Sequence, residues 1–225
     1  MWQELHELYV AGRLCKISQD IELEVPNPDR PQNNFDIKAN INGTEINIEV
    51  TTRTDDFPFD KGFLHKVGNI GSARSRATVS PAFANNDRVS STNIQHDSIP
   101  ESEDLRRRLL DKATRQLPKN GINIIALGYR GITNKDFHIT SALYGDQQIY
   151  VNKRNLESPP IIGRVENGLY YYEEGFKHIS AVMLIFPHNN DGKLYLNPNL
   201  AKGLPLSVQE SLVEIFKLEV VEQGS

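Results

Sequence analysis

The sequence predicts an α/β fold in which a mixed central β-sheet is flanked by helices. Apolar residues at helical spacing over 2–14 and 104–117 are interleaved with period-2 segments at 21–25 and 35–52. A further segment, 122–127, is almost wholly apolar, which is typical of a central strand covered on both faces. This order of helices and strands favours a mixed sheet with helices packed on its faces.

Length and composition favour one domain. The chain has 225 residues, 38% of them hydrophobic, so it can bury a core as a single domain covering 1–225. The stretch from about 54 to 103 is rich in Ser, Asn, Asp and Arg and is predicted to be a polar loop or insertion. The remaining predicted elements are a short helix near 134–143, strands near 149, 168–172, 178–186 and 194–196, and a helix starting at Ser207, whose spacing to Glu210 fits a capping box.

Composition also predicts the cellular compartment of the protein. The longest apolar stretch is far shorter than the ~20 residues that span a bilayer, so no membrane contact is expected. The first residues are charged and helically spaced, unlike a secretory signal, and a single cysteine, Cys15, cannot form an internal disulfide. We therefore expect a cytoplasmic protein in which Cys15 is buried. The net charge of −4 argues against coating nucleic acid through bulk charge, but it permits a local basic groove.

A β-hairpin is the most specific local prediction. Asn42-Gly43 is a strong signal for a two-residue turn, because both central positions of a type I′ turn need positive φ. Such a turn places Ile41 opposite Thr44, and counting back along both strands places Asp36 opposite Glu49. One face of the hairpin is then apolar, and the other collects the two acids.

The opposed carboxylates suggest a metal site. Their Cβ atoms are expected about 5 Å apart, where two negative charges repel unless a cation or a shared proton lies between them. Mg²⁺ would supply that cation, since it takes carboxylate oxygens as ligands. Alternatively, the acids lie on a solvent-exposed face, where their proximity costs little free energy.

The order of these motifs resembles a known family. An Asp on one strand, a hairpin and a Glu on the next strand, with a helix bearing Glu before them, is the arrangement of the PD-(D/E)XK, or restriction-endonuclease-like, nucleases. The chain resembles them in Phe35-Asp36, in Ile48-Glu49-Val50-Thr51 and in the segment 112–118 that leads into strand 122–127. The resemblance covers about residues 2–128 and implies a restriction-endonuclease-like core with additional C-terminal strands and a helix.

The resemblance also implies roles for particular residues. Asp36 and Glu49 would bind Mg²⁺, for which Mn²⁺ could substitute, and Glu7 or Glu4 would add a carboxylate from the first helix. The lysine that the family uses to position the attacking water falls at Thr51, which is a departure from the pattern. Lys38 is the expected substitute, because it shares the charged face of the hairpin and lies diagonal to Glu49. Lys112 and Gln116 are alternatives if their helix packs across the sheet.

The function that follows is metal-dependent hydrolysis of phosphodiester bonds in DNA, with restriction or defence as its role. Lys66, Arg74 and Arg76 in the polar stretch, together with Gln116, are the expected contacts to DNA, although such charges also occur on solvated faces. A homodimer or a larger defence-type assembly is compatible with this role. The alternative is a nuclease-like fold that has lost catalysis and binds nucleic acid or protein, which Thr51 favours.

Overall fold

The computed structural model describes residues 2–54, 90–92, 99–130, 136–151, 161–165, 167–199 and 203–221. In chain order the elements are α1 (Trp2–Leu14), β1 (Ile21–Asn27), β2 (Arg30–Ile41), β3 (Thr44–Thr54), β4 (Ser90–Thr92), α2 (Ile99–Arg115), β5 (Ile122–Arg130), α3 (Asp136–Tyr144), β6 (Gln147–Val151), β7 (Ile161–Arg164), α4 (Leu169–Tyr172), a 3₁₀ turn (Glu174–Phe176), β8 (Ile179–Phe186), β9 (Asp191–Leu196), α5 (Leu206–Phe216) and β10 (Leu218–Val221). None of the helices in these ranges combines the length and apolar character that crossing a bilayer requires.

The chain forms two compact units. The first comprises Met1–Asp55, Arg106–Asn134 and Leu169–Ser225, and the second comprises Asp56–Leu105 and Lys135–Gly168. In the second unit, β4, β6 and β7 form an antiparallel three-stranded sheet, and α3 belongs to the same unit. The prediction of a single domain stays a prediction.

A mixed seven-stranded sheet is the framework of the first unit. Its strand order is β1-β2-β3-β5-β8-β9-β10. Strands β3, β5 and β8 run parallel to one another, whereas β1, β2 and β9 are antiparallel to their inner neighbours. This arrangement, with helices around it, confirms the predicted α/β class. Strand β5 is the middle strand, and Ile124–Leu127 are buried, as their apolar run predicted.

One cluster of buried apolar side chains lies on the face of this sheet that α1 covers. Helix α1 packs against β2 and β3 and touches α5, burying Val10 and Leu14 against Ile37, Ile48 and Val50. Because side chains alternate along a strand, Glu49 points to the opposite face from Ile48 and Val50. Helix α2 meets the sheet on that opposite face, which is where the acids of the hairpin lie.

Several local predictions are confirmed. The helix over 2–14 has the predicted bounds, and the hairpin has the predicted register from Ile41 opposite Thr44 to Ile37 opposite Ile48. Strand β1 continues through Pro26 to Asn27, and β2 begins at Arg30. Proline is tolerated in β1 because this strand lies at the edge of the sheet, where a missing N–H donor leaves no neighbour unpaired.

Other local predictions are wrong. The predicted strand at 168–172 is the short helix α4, since Tyr170 is buried and donates its hydroxyl hydrogen to the carbonyl of Tyr195, a tertiary contact that overrides strand propensity. No capping box starts the last helix: Pro205 occupies the N-cap position and makes no side-chain cap bond. Cys15 is exposed in the turn that follows α1. Part of the predicted polar stretch, residues 55–89 and 93–98, lies outside the described residues, while 99–103 belong to α2.

Candidate active site

The hairpin brings Asp36 and Glu49 together on the α2 face of the sheet. Asn42 and Gly43 have φ values of 53° and 78°, as a type I′ turn requires. The paired register ends at Ile37 and Ile48, so Asp36 and Glu49 are the next opposed positions along the two strands. Oδ2 of Asp36 accepts a hydrogen bond of 2.6 Å from the backbone N–H of Val50. This bond fixes the Asp36 carboxylate against the strand that carries Glu49.

Both acids are shielded from water, and this burial raises their pKa values. Glu49 is fully buried, and burial, with the neighbouring charge of Asp36 as the second cause, raises its pKa to about 8. Burial also raises the pKa of Asp36 to about 6, against the opposing effect of the Val50 N–H. The charge of Glu7 acts on both carboxyl groups in the same direction. The pair therefore retains about one proton at neutral pH.

Lys112 supplies the cation of the site. Its Nζ lies 2.7 Å from Oε1 of Glu49, and its side chain is 20% exposed. A charge-assisted bond to a buried carboxylate is among the stronger hydrogen bonds in proteins. The positive charge partly offsets the effect of burial on Glu49 and also lowers the pKa of Asp36.

Side chains from outside α2 fix the end of the helix that carries Lys112. The last carbonyl groups of a helix have no partner within the helix. Asn27 and Asn33 donate their side-chain amides to the carbonyls of Gln116 and Arg115, each at 2.8 Å. The Nε2 of His178 lies 3.1 Å from the carbonyl of Ala113. Strands β1 and β2 and the residue before β8 thus hold the last turns of α2 over the sheet.

A buried amide pair supports the same face. Asn47 and Asn123, paired in register on β3 and β5, share a side-chain hydrogen bond of 3.0 Å. Asn123 also donates to the carbonyls of Pro118 and His178, which fixes the loops before β5 and β8. Because these two residues lie beside Glu49 on one face of the sheet, they support the floor of the site with satisfied polar groups.

Lys38, the expected substitute for the family lysine, has another partner. Its Nζ lies 2.9 Å from Oε2 of Glu45, near the turn of the hairpin. The structure therefore places Lys112, and not Lys38, against Glu49. Thr51, two residues after Glu49 on β3, is half-buried.

The other residues that the sequence predicts for the site are Glu7, Gln116 and three basic residues of the polar stretch. Glu7 lies on α1 and acts on the acids through its charge, as described above. Gln116 follows the last turn of α2, and its buried Oε1 has no hydrogen-bond partner within the described part of the chain. Lys66, Arg74 and Arg76, the predicted DNA contacts, lie outside the described residues.

The donor set fits a hard divalent cation. Glu49 Oε2 is buried and has no hydrogen-bond partner among the residues that the structure describes, so it is an acceptor without a donor. With Asp36, it offers carboxylate oxygens, the ligands that Mg²⁺ prefers. Within the described ranges, no group of three His, Cys, Asp or Glu residues is placed to hold a metal. A two-carboxylate site suits Mg²⁺ best, because this ion keeps several of its waters.

Sequence reasoning missed the residues that fix α2. Asn27, Asn33 and His178 have no recognisable spacing to Lys112, since the first two lie on β1 and β2 and the third lies before β8, all far from α2 in the chain. Only the run of Asn and Pro residues at 26–34 signalled that backbone groups there would need side-chain partners.

A scan with protein-family models finds no match for this chain, and comparisons with curated sequences and with solved structures find none either.

Proposed function

We propose that this protein hydrolyses phosphodiester bonds in DNA with the help of a divalent metal ion. The observation that carries the proposal is the buried pair Asp36 and Glu49, with the free Oε2 of Glu49 on one side and Lys112 on the other. Buried acids whose pKa values are raised, placed beside a cation, are typical of functional sites.

The chain's own residues would act as follows. Asp36 and Glu49 would hold the ion, and any proton that their raised pKa values keep on the pair would leave when the ion binds. Lys112 holds Glu49 in one orientation, and its ammonium group offsets negative charge on a phosphate that approaches the pair. Mg²⁺, or Mn²⁺ in its place, would stabilise charge on the phosphate and activate the attacking water.

DNA is proposed as the substrate on the strength of the resemblance described above, and restriction or defence follows as the role. The position of Lys112 strengthens that resemblance, because a lysine beside the second acid is what the family pattern requires. Here it comes from α2, whereas the usual position on β3 holds Thr51.

A second candidate is a nuclease-like fold without catalysis, which serves as a nucleic-acid-binding or protein-binding module. The direct Lys112–Glu49 ion pair favours it, because a lysine already in contact with Glu49 reduces the need for a metal ion. Metal binding distinguishes the two candidates.

The experiment is cleavage of plasmid and single-stranded DNA by the purified protein with Mg²⁺ or Mn²⁺. Asp36→Asn and Glu49→Gln should each lower the rate by about a hundredfold or more. Glu45→Gln is the matched control, since Glu45 is an exposed acid on the same strand, and it should cleave like the parent. Intact DNA under all conditions, together with no heat of Mg²⁺ binding in calorimetry, would reject the proposal in favour of the second candidate.

A further inference from the structure

The two carboxylate oxygens of Glu49 differ in their contacts. Oε1 accepts a hydrogen bond of 2.7 Å from Nζ of Lys112, whereas Oε2 is buried and has no hydrogen-bond partner in the described part of the chain. The metal ion of the proposed function would use Oε2 together with Asp36. An ion on Oε2 and the ammonium group on Oε1 would then be held by the two oxygens of one carboxyl group.

Two cations on one buried carboxyl group repel each other. The repulsion between like charges is several times larger inside a protein than in water, and the side chain of Glu49 is fully buried. Asp36 is held in place by the backbone N–H of Val50, so the acid pair has little freedom to separate the two cations. Glu7 acts on both acids through its negative charge and offsets part of this repulsion. The ion and the ammonium group therefore compete for Glu49.

Of the two groups that now form the ion pair, Lys112 is the one that has room to move. Its side chain is 20% exposed, and a lysine ammonium lies at the end of a flexible four-carbon chain. The helix itself is fixed, because Asn27 and Asn33 donate to carbonyl groups at its end. The ammonium group can thus leave Glu49 by rotation of its side chain, without a shift of α2.

We propose that Lys112 is an internal counter-ion, which binds Glu49 while no divalent ion is bound and gives up this contact when the ion enters. The inference rests on the proposed function, since it concerns regulation of the same site. In the exchange the hydrogen bond to Oε1 is lost and the ammonium group keeps its proton. The ammonium group is then available to a phosphate, so Lys112 acts on DNA only after the metal ion is bound.

NMR of the lysine side chains in the full chain tests the exchange. With ¹³C-labelled lysine, the Cε resonance of Lys112, assigned from the variant Lys112→Arg, should shift and narrow as Mg²⁺ saturates the protein, because the side chain loses its fixed partner. The resonance of Lys38, whose partner Glu45 is exposed, should stay unchanged. In Glu49→Gln the resonance of Lys112 should not respond to Mg²⁺, since no carboxylate is left for it to leave.

Calorimetric titration with Mg²⁺ measures the competition. Lys112→Gln keeps a donor for Oε1 but removes the charge, so it should bind Mg²⁺ about tenfold more tightly or better than the parent. Lys112→Arg keeps the charge and should bind like the parent or more weakly. Lys38→Gln, which removes the same charge from the neighbouring strand, should change the affinity by less than about threefold. Titrations at several pH values give the affinity of the ionised acids and so exclude competition by protons.

The outcomes separate this inference from the proposed function. Saturation with Mg²⁺ that leaves the Lys112 resonance unchanged, or a Lys112→Gln variant that binds Mg²⁺ no more tightly than the parent, overturns the inference and leaves the proposed function to the cleavage experiment. Binding by Lys112→Gln alone supports the inference and favours the candidate without catalysis. If neither protein binds Mg²⁺, the inference and the proposed function are both wrong.

Discussion

The amino group of Lys112 lies 2.7 Å from Oε1 of Glu49, although 63 residues separate the two in sequence. The bond joins α2 to β3 on the face of the sheet that also carries Asp36. It gives the site a buried acid pair and a cation, each held by a different part of the fold.

Lys112 and Lys38 are the two lysines that could assist catalysis. Replacing each by alanine should change the rate of DNA cleavage by different amounts. Lys112→Ala removes the ion pair to a buried carboxylate, so we expect DNA cleavage to fall by about a hundredfold or more. Lys38→Ala removes only the contact with exposed Glu45 and should change the rate by less than about threefold. Initial rates at saturating Mg²⁺ make the comparison. A large fall in the cleavage rate for Lys38→Ala, with a small fall for Lys112→Ala, would show that Lys38 and not Lys112 assists catalysis.

The contribution of Asp36 and Glu49 to the stability of the metal-free protein should fall as pH rises between about 4 and 8. The pKa values of Asp36 and Glu49 are raised from 3.8 to about 6 and from 4.5 to about 8, so the folded state binds protons more tightly than the unfolded chain. The two acids stabilise the folded state fully at pH values below their pKa values in the unfolded chain. This stabilisation is lost as pH rises through their pKa values in the folded protein. Urea denaturation at several pH values in this range measures how the free energy of unfolding changes with pH.

Asp36→Asn should flatten the lower part of that pH profile. The asparagine can still accept the Val50 N–H, but it carries no titrating charge. Near pH 7 the variant should be more stable than the parent by about 1 kcal/mol or more in the absence of metal. A difference in stability between parent and variant that does not change with pH over this range would contradict the raised pKa of Asp36.

Metal binding should release protons. Near pH 7 the pair Asp36 and Glu49 retains about one proton, which a divalent cation must displace to reach both carboxylates. Calorimetric titration with Mg²⁺ in buffers of different ionisation enthalpy measures the number released. Glu49→Gln should bind Mg²⁺ at least about tenfold more weakly, and Glu45→Gln should behave like the parent. Binding without proton release would place the ion elsewhere.

Gly128 on β5 should not tolerate a side chain. An added Cβ would lie 2.6 Å from the ring of His6, which packs over this glycine and bonds Oγ1 of Thr52 at 2.7 Å. Gly128→Ala should therefore lower the free energy of unfolding by about 1–3 kcal/mol. The double variant with His6→Ala removes the clash and should recover part of the loss, which denaturation of the single and double variants measures. Additive losses would show that His6 does not cause the effect.

The local sequence was enough to determine one half of the site. Alternating residues and the Asn42-Gly43 turn fix the hairpin register, because a two-residue turn permits only one pairing. That register alone predicts Asp36 opposite Glu49 on a common face. The apolar run at 122–127 similarly identifies the central strand, since only such a strand is covered on both sides.

Only the tertiary structure decided the rest. Which lysine meets Glu49 depends on how α2 crosses the sheet, and no spacing within the chain encodes that crossing. The burial that raises the pKa of Glu49 arises from the same packing. Contacts between distant segments also made residues 169–172 a helix, through the bond from Tyr170 to Tyr195. Local sequence sets the direction of each side chain, whereas its partner and its exposure to water follow from packing between elements far apart in the chain.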